Sequence, residues 1–360
     1  MRVLFVGSPS TRPSDGGSST FQNTFLAALK RAQTSHELFY VQAVAGAGVV
    51  QQSVVTNRID FVWFMSPYYE DVDVPFAATV WDLGHREAPY FPELSLSGWP
   101  FDARESFYRH LLPRASIVVI GNSIGARHIN AFYQIPHANI CTIPLPIDLA
   151  DVGERGVDSA VIERFGLQRS EYLFYPAQFW PHKNHITLID TLLNLRNSGK
   201  NFKLLLSGSD KGNRSHVENY VDRCNLRHSV VFAGFVETHE LQQFYLNAFA
   251  MVFASLLGPD NLPPLEAMAH GCPVISANFD GAIEQMGEAA LFFDGLDSHH
   301  AASQVMRLVD PAVKAGLVKS GHDLVQTRSK EEYIKKICVA LDRFSFIRRL
   351  WGPSNSYHHL

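Results

Sequence analysis

Short apolar runs alternate with helix-like periods along most of the chain. The first run, Val3 to Val6, is continuous and stops at Gly7, as expected for a strand that is buried on both faces. Apolar residues at helical spacing, including Phe21 and Phe25, follow after a loop rich in Gly, Ser and Pro. Strands that alternate with helices imply right-handed crossovers and a parallel sheet. The pattern therefore predicts an α/β fold.

The alternation occurs in two series, separated by residues 144–156, where two prolines and two glycines interrupt the periodicity. The first series predicts strands at residues 3–6, 37–41, 61–65, 77–80, 117–120 and 140–143. The second predicts strands at residues 172–177, 202–206, 230–232, 251–254 and 274–276, with helices near 299–308, 311–326 and 330–344. Because 360 residues exceed the usual size of one hydrophobic core, we expect two doubly wound, Rossmann-like domains, residues 1–150 and 157–340.

Composition and charge narrow the functional classes. A hydrophobic content of 46% with 18% charged residues is typical of a globular protein. A formal net charge of -4 argues against a nucleic-acid partner, because proteins that follow phosphates need a basic surface. The first apolar run stops at Gly7 without a cleavage site, and no run approaches the ~20 residues that span a bilayer, so we expect a cytoplasmic protein. The four cysteines show no C-x-x-C spacing, which argues against a zinc site and a disulfide scaffold.

The stretch that follows the strand at 251–254 carries the main candidate chemistry. A helix is predicted to begin near Pro263 or Pro264, because prolines are tolerated where backbone N–H groups have no intrahelical partner. Glu266 then lies in the first turn, where its carboxylate is stabilised as an anion and suits a cis-diol. The amides of Asn261 and Leu262 are free for a phosphate or a sugar hydroxyl. The alternative is that Glu266 only complements the helix dipole.

The run P-P-L-E-A-M-A-H-G-C-P-V-I resembles the donor-binding core of the retaining nucleotide-sugar glycosyltransferases of family four. These enzymes usually carry a Glu-x-seven-Glu pattern, of which Glu266 matches the second acid while Gly258 stands at the first. The variant G-P-x-N-L-P-P-L-E resembles the polysaccharide-assembling members. The resemblance implies the GT-B fold, in which two doubly wound domains face a central cleft and a last segment, here residues 341–360, returns to the first domain.

The resemblance also assigns residues to the donor diphosphate. Gly16 and Gly17, in the loop after the first strand, are expected to face it, although they could be an ordinary flexible loop. In the loop Q-F-W-P-H-K-N-H, Lys183 matches a diphosphate-binding lysine, and Gln178 stands where the family has an arginine. The alternative for Lys183 is a solvated surface charge.

Other expected donor contacts lie after the later strands. Gly208 resembles the family's glycine turn under the nucleotide, and Phe235 and Val236 match the segment whose backbone reads the base, although Phe235 could be simple core. Asp260 lies two residues beyond Gly258 and is expected to reach the sugar hydroxyl that the missing acid would contact, unless its carboxylate bonds its own backbone.

On the acceptor side, W-D-L-G-H-R-E-A-P-Y-F-P-E resembles a signature of the same group. The resemblance implies that His85 contacts a sugar or phosphate and faces the reaction centre. The alternative is a structural hydrogen-bond cluster that joins His85 to Asp82, Arg86 and Glu93.

The resemblance implies a retaining, metal-independent hexosyltransferase. It moves a hexose from a nucleotide diphosphate sugar, with UDP-glucose as first candidate, to a glycan or lipid-linked saccharide hydroxyl in polysaccharide biosynthesis. No cofactor or metal is expected, because Lys183 and helix amides neutralise the leaving diphosphate. Contact with the inner face of the membrane is compatible with such an acceptor.

Two alternatives to this enzyme stay open, and a third is disfavoured. One is a non-catalytic nucleotide-sugar-binding protein, which Gly258 and Gln178 keep open, and another is a GDP-mannose-dependent mannosyltransferase. A Rossmann dehydrogenase is disfavoured, because G-S-P-S-T-R stands where G-x-G-x-x-G is needed.

Overall fold

The computed structural model describes residues 1–7, 21, 25, 28–29, 31–43, 46, 48–97, 99–149, 156–258 and 260–352. The chain divides into two compact units. The first unit comprises Met1–Glu87, Trp99–Pro146 and Arg328–Leu360, and the second comprises Ala88–Gly98 and Ile147–Thr327.

Each unit contains one six-stranded parallel sheet. The strands are β1 (Arg2–Gly7), β2 (Glu37–Gln42), β3 (Phe61–Phe64), β4 (Phe76–Thr79), β5 (Ile117–Ile120), β6 (Ile140–Thr142), β7 (Tyr172–Pro176), β8 (Lys203–Ser207), β9 (Val230–Gly234), β10 (Ala250–Phe253), β11 (Val274–Ala277) and β12 (Ala290–Phe293). The described α-helices of the first unit are α1 (Val49–Thr56), α2 (Gly84–Glu87), α4 (Phe101–Leu111), α5 (Ser123–Tyr133) and α14 (Lys330–Arg348). Those of the second unit are α3 (Pro92–Ser95), α6 (Ser159–Glu163), α7 (His185–Asn197), α8 (Arg214–Arg223), α9 (Thr238–Asn247), α10 (Leu262–Ala269), α11 (Ala282–Met286), α12 (Ser298–Arg307) and α13 (Pro311–Gln326).

The predicted strands and the α/β fold class are confirmed. The strand order is β2-β1-β3-β4-β5-β6 in the first sheet and β12-β11-β10-β7-β8-β9 in the second. The interior strands are recognisable in the sequence because helices cover both faces of each sheet, so that every residue of β3, for example, is buried. Each sheet is doubly wound, as the alternation of strands and helices predicts.

The compact units have different boundaries from the domains expected from sequence. Residues 88–98 belong to the second unit, because Glu93 on α3 bonds His182 there. Helix α14 belongs to the first unit, where Tyr333, Ile337 and Leu341 pack into the core formed around Val3 and other residues of its sheet. Local periodicity does not reveal such long-range packing. The sequence therefore assigned residues 88–98 to the first domain and placed the return to the first domain at residue 341, within α14, whereas the first unit resumes at Arg328.

The order of the second sheet determines where a ligand site is expected. Strands β7, β8 and β9 are added in one direction, and β10, β11 and β12 are added on the other side of β7. The order therefore reverses between β7 and β10, and open α/β sheets bind ligands beyond the carboxyl ends of the strands at such a point. The two loops at this position are residues 177–184 after β7 and residues 254–261 after β10.

Candidate functional site

The loops after β7 and β10 are joined by their backbones. The Leu256 N–H donates to the carbonyl of His182 at 3.0 Å. The chain after β7 forms a 3₁₀ turn, Pro181–Lys183, before α7 begins at His185. The predicted residues Lys183 and Glu266 thus follow the two adjacent strands that flank the switch point.

Lys183 is half-buried and directed at the end of β10. Its Nζ donates to Ser255 Oγ at 3.2 Å, and it lies 5.9 Å from the ring centroid of Phe253. The Tyr175 hydroxyl donates to the Lys183 carbonyl at 2.9 Å and holds the turn in place. These contacts distinguish Lys183 from a freely solvated surface lysine and give its ammonium a defined position.

A buried carboxylate supports the same turn from a distant part of the chain. Glu93 is 6% exposed, and its Oε1 accepts from the His182 N–H at 3.0 Å and from His182 Nδ1 at 2.6 Å. Burial acts to raise the pKa of Glu93, but the two bonds from His182 outweigh it and lower that pKa below its ordinary value. The sequence grouped Glu93 with His85, whereas in the structure it supports the turn that carries Lys183.

Glu266 lies in the second turn of α10, not in the first as predicted, because the helix begins at Leu262 and accommodates Pro263 and Pro264 in its first turn. Its carboxylate is half-buried, and the Tyr245 hydroxyl donates to Oε2 at 3.0 Å. Burial raises the pKa of Glu266, and the Tyr245 bond opposes that rise. Glu266 therefore does more than complement a helix dipole.

The Tyr245 ring, on α9, is itself held by His270, the residue that directly follows α10. Tyr245 stacks on His270 with ring centroids 5.6 Å apart. The His270 Nδ1–H donates to the Glu266 carbonyl at 2.8 Å, which fixes the orientation of the imidazole. Burial raises the pKa of the Tyr245 hydroxyl well above its ordinary value, so that it stays a donor to the carboxylate.

The loop before α10 is fastened by Gln285 of helix α11. Gln285 Oε1 accepts from the Asn261 N–H at 3.2 Å, and Gln285 Nε2 donates to Asp260 Oδ1 and to the Asn261 carbonyl, both at 2.6 Å. The Asn261 amide, predicted to be free for a ligand, is thus already bonded. Leu262, the other residue whose amide was predicted to be free, is 7% exposed. The Asp260 carboxylate accepts a hydrogen bond from the Gln285 side chain on α11.

The remaining predicted donor residues in the second unit lie near the ends of β7, β8 and β9. Gln178 Oε1 accepts from Trp180 Nε1 at 3.0 Å, so this amide orients an indole of its own loop. Gly208 has φ 146° and donates its N–H to the Gly234 carbonyl at 2.7 Å; a Cβ there would lie 2.3 Å from the Ala177 carbonyl oxygen. The loop therefore needs glycine for its close backbone approach.

Phe235 and Val236 differ in exposure although they are adjacent. The Phe235 side chain is 57% exposed, whereas Val236 is partly buried against the core of the second unit. Phe235 is therefore not simple core. Gly16 and Gly17, predicted to face the diphosphate, lie outside the described residues.

In the first unit, the His85 side chain is 0% exposed instead of facing a ligand as predicted. Its Nε2 lies 3.3 Å from both Glu105 Oε2 and the Tyr133 hydroxyl, and its ring stacks on Tyr108 with centroids 5.8 Å apart. Burial, reinforced by the Arg104 charge, lowers the pKa of His85 to about 4. The alternative of a structural hydrogen-bond cluster describes this position, with Glu105 as the partner that the sequence did not indicate.

Other features of the described residues bear on metal and membrane sites. Across the described ranges, no group of three or more His, Cys, Asp or Glu side chains is placed to hold a metal ion. Among the same residues, no helix combines the length and apolar character needed to cross a bilayer. The four cysteines are free thiols.

Residues 162–314 match the family model described as Glycosyl transferases group 1. An uncharacterized glycosyltransferase, MJ1607 of Methanocaldococcus jannaschii, is 37% identical over 84 residues, which cover 23% of this chain and 21% of that protein. The O-antigen chain mannosyltransferase RfbU of Salmonella typhimurium is 25% identical over 141 residues, 39% of each chain. The chain thus spans only 21% and 39% of the lengths of these two relatives.

Similarity to solved structures extends over almost the whole chain. The crystal structure of Anabaena Alr3699/HepE in complex with UDP-glucose has a TM-score of 0.72 and 17% identity, covering 95% of this chain and 100% of that chain. This likeness confirms the predicted GT-B fold. At such low identity it establishes the fold alone.

Proposed function

We propose that the protein transfers a hexose from a nucleotide diphosphate sugar to a hydroxyl of a glycan or lipid-linked saccharide, a proposal supported by the match of residues 162–314 to the Glycosyl transferases group 1 model. The transfer proceeds with retention at the anomeric carbon and without a metal ion. The observation that carries this proposal is the position of Lys183, bonded to Ser255 at the switch point of the second sheet.

The chemical step makes specific demands on this site. The bond between the anomeric carbon and the diphosphate oxygen breaks, and its electron pair stays on the leaving diphosphate. A new bond forms to the acceptor oxygen, whose proton is released. Lys183 stabilises the charge that develops on the diphosphate, and its contacts with Ser255 and Tyr175 hold it in place beforehand.

Glu266 supplies the second interaction, with a hydroxyl pair of the donor. One carboxylate oxygen, Oε2, accepts from Tyr245. An ionised carboxylate has about four lone-pair positions, so it can accept from a cis-diol as well. The Tyr245 bond stabilises the ionised form that this role requires.

UDP-glucose is the first candidate donor. The similar fold of the Anabaena protein, whose structure contains UDP-glucose, supports this choice. A GDP-mannose-dependent mannosyltransferase is the second candidate, supported by the mannosyltransferase name of the Salmonella relative. The acceptor is proposed to be a glycan or a lipid-linked saccharide of polysaccharide assembly, and a lipid-linked acceptor would be reached at the inner face of the membrane.

Calorimetry and turnover assays test the proposal. Wild-type protein should bind UDP-glucose or GDP-mannose and transfer the sugar, and NMR of the product should show a retained anomeric configuration. Glu266→Ala should weaken donor binding by at least ~1.5 kcal/mol, the scale of a charge-assisted hydrogen bond. Lys183→Ala should lower kcat by roughly 100-fold, as expected for loss of one preorganised charge.

Lys314 offers a matched control for Lys183. It is also a half-buried lysine of the second unit above an aromatic ring, 4.7 Å from the centroid of Phe249, but it lies on α13. Lys314→Ala should leave kcat unchanged. Donor binding by the wild type without any turnover would favour the non-catalytic alternative. Equal losses in both lysine variants would contradict the role of Lys183.

A further inference from the structure

Gln285 is a buried amide that makes three hydrogen bonds to the loop between β10 and α10, residues 254–261, which is called the donor loop below. It is 1% exposed, it belongs to α11, and it bonds the Asn261 N–H, the Asn261 carbonyl and Asp260 Oδ1. Both ends of the amide are therefore used, one as acceptor and the other as donor. A side chain without both functions cannot reproduce this set.

Gly258 completes the arrangement at the other end of the loop. Its carbonyl accepts from Asn261 Nδ2 at 2.8 Å, and its φ of 114° lies in a region that L-residues rarely adopt. A Cβ built on Gly258 would lie 2.7 Å from Asn261 Nδ2. The observed loop conformation therefore disfavours any side chain at this position, including the acid that the resemblance places there.

We propose that Gln285 is the positioning residue that orients Asp260 and Asn261 toward the sugar ring of the donor, in place of the acid absent at position 258. This inference rests on the proposed function. Gln285 acts through the loop, because its amide is occupied by loop atoms. It therefore controls how the donor sugar is held, whereas the diphosphate is held by Lys183.

The proposal makes a selective prediction for binding. A ligand that contains the sugar ring contacts the oriented loop, whereas a free nucleotide diphosphate lacks the ring. Loss of the Gln285 bonds should thus weaken binding of the nucleotide sugar by about tenfold, as expected for roughly one neutral hydrogen bond or slightly more. Binding of the free nucleotide diphosphate should change by less than about twofold.

Gln285→Leu removes both hydrogen-bonding functions at similar volume, and Gln243→Leu is its matched control. Gln243 is 5% exposed in the same unit and also uses both ends of its amide, accepting from the Asp158 N–H and donating to the Gly156 carbonyl. Its bonds lie far along the chain from the donor loop. Dissociation constants for UDP-glucose, GDP-mannose, UDP and GDP should be measured for both variants, with melting temperatures to verify folding.

A conservative rescue and hydrogen exchange complete the test. Gln285→Glu keeps the acceptor for Asn261 N–H but places a carboxylate beside Asp260; adding Asp260→Asn should restore part of the nucleotide-sugar affinity. Amide exchange at Asn261 should accelerate in Gln285→Leu and stay unchanged in Gln243→Leu. This readout requires no donor.

The outcomes separate the two proposals. If the wild type binds a nucleotide sugar, and Gln285→Leu does not change the ratio of the dissociation constants for the nucleotide sugar and the free nucleotide diphosphate, the role of Gln285 is overturned and the proposed function is not. Unchanged exchange at Asn261 in Gln285→Leu would overturn it too. A wild type that binds none of the four nucleotide ligands would overturn the proposed function, even if exchange at Asn261 shows that the contact itself exists.

Discussion

The hydroxyl of Tyr245 should set the pH at which the proposed transfer activity is lost in acid. It donates to Glu266 Oε2 at 3.0 Å, and burial already raises the pKa of Glu266 above the ordinary 4.5. Tyr245→Phe removes the donor but keeps the ring that stacks on His270. The ionised carboxylate then loses its partner inside the protein, so its pKa should rise further.

The magnitude follows from the kind of bond. A hydrogen bond to a charged group contributes about 1.5–3 kcal/mol, and one pKa unit corresponds to about 1.4 kcal/mol. The pKa of Glu266 in Tyr245→Phe should therefore rise by about one to two units. In its proposed role Glu266 must be ionised to accept from the donor diol, so kcat/KM should decline as the pH falls through this pKa. The acid limb should shift toward neutral pH by the same one to two units.

The assay is the pH profile of kcat/KM with the donor varied. Tyr172→Phe is the matched control, because Tyr172 is also buried in the second unit and its hydroxyl donates at 2.7 Å to a neutral group, the Phe244 carbonyl. It should lower stability without moving the limb. An acid limb at the same pH in Tyr245→Phe and wild type would refute the coupling between Tyr245 and Glu266. A uniform fall in activity at every pH would show a structural role only.

Further predictions concern stability. Burial lowers the pKa of His85 to about 4 from 6.5, so the unfolded chain takes up a proton at a higher pH than the folded chain, and the free energy of unfolding should fall as the pH drops from 6.5 toward 4. His85→Gln should remove up to ~3 kcal/mol of that fall, measured by urea unfolding at each pH. An unchanged dependence of the unfolding free energy on pH would contradict this expectation. Glu93→Ala leaves His182 without its carboxylate partner and should lower the free energy of unfolding by about 2–4 kcal/mol in urea unfolding. A decrease below ~1 kcal/mol would show that the buried pair contributes little to stability. Gly258 has φ 114°, and Gly258→Ala would place a side chain against Asn261, so the substitution should lower the free energy of unfolding by about 1–3 kcal/mol. An unchanged melting temperature would contradict this expectation.

The two sheets could be predicted because their signal is local. A parallel strand that is covered on both faces is a short continuous apolar run, as in β7 and β10, and the residues that follow it lie at the carboxyl edge of the sheet. The position of Lys183 next to the switch point follows from this rule. Its bond to Ser255 does not, because that bond depends on rotamers and on the packing of two loops 72 residues apart.

The parts of the site that sequence reasoning missed are long-range partners of ordinary residue types. Glu93 and His182 are 89 residues apart, and Tyr245 and Glu266 are 21 apart on separate helices. A tyrosine on a helix is usually part of the core, and the position of Tyr245 in the sequence does not indicate a carboxylate partner. The start of α10 was misplaced by one or two residues for a related reason, since proline is tolerated at several positions of a first turn.

The interpretation of Gly258, which stands where the family motif has an acid, changes once its backbone conformation is known. In the sequence it stands for a lost acidic contact and keeps the non-catalytic alternative open. In the structure it adopts φ 114°, and its neighbour Asn261 occupies the space that any side chain at 258 would need. Three bonds from Gln285 hold the same loop. Two join neutral groups, at about 0.5–1.5 kcal/mol each, and the third goes to the Asp260 carboxylate, at about 1.5–3 kcal/mol. Gly258 therefore suits the backbone of a loop that Gln285 holds, and its presence alone does not argue against catalysis.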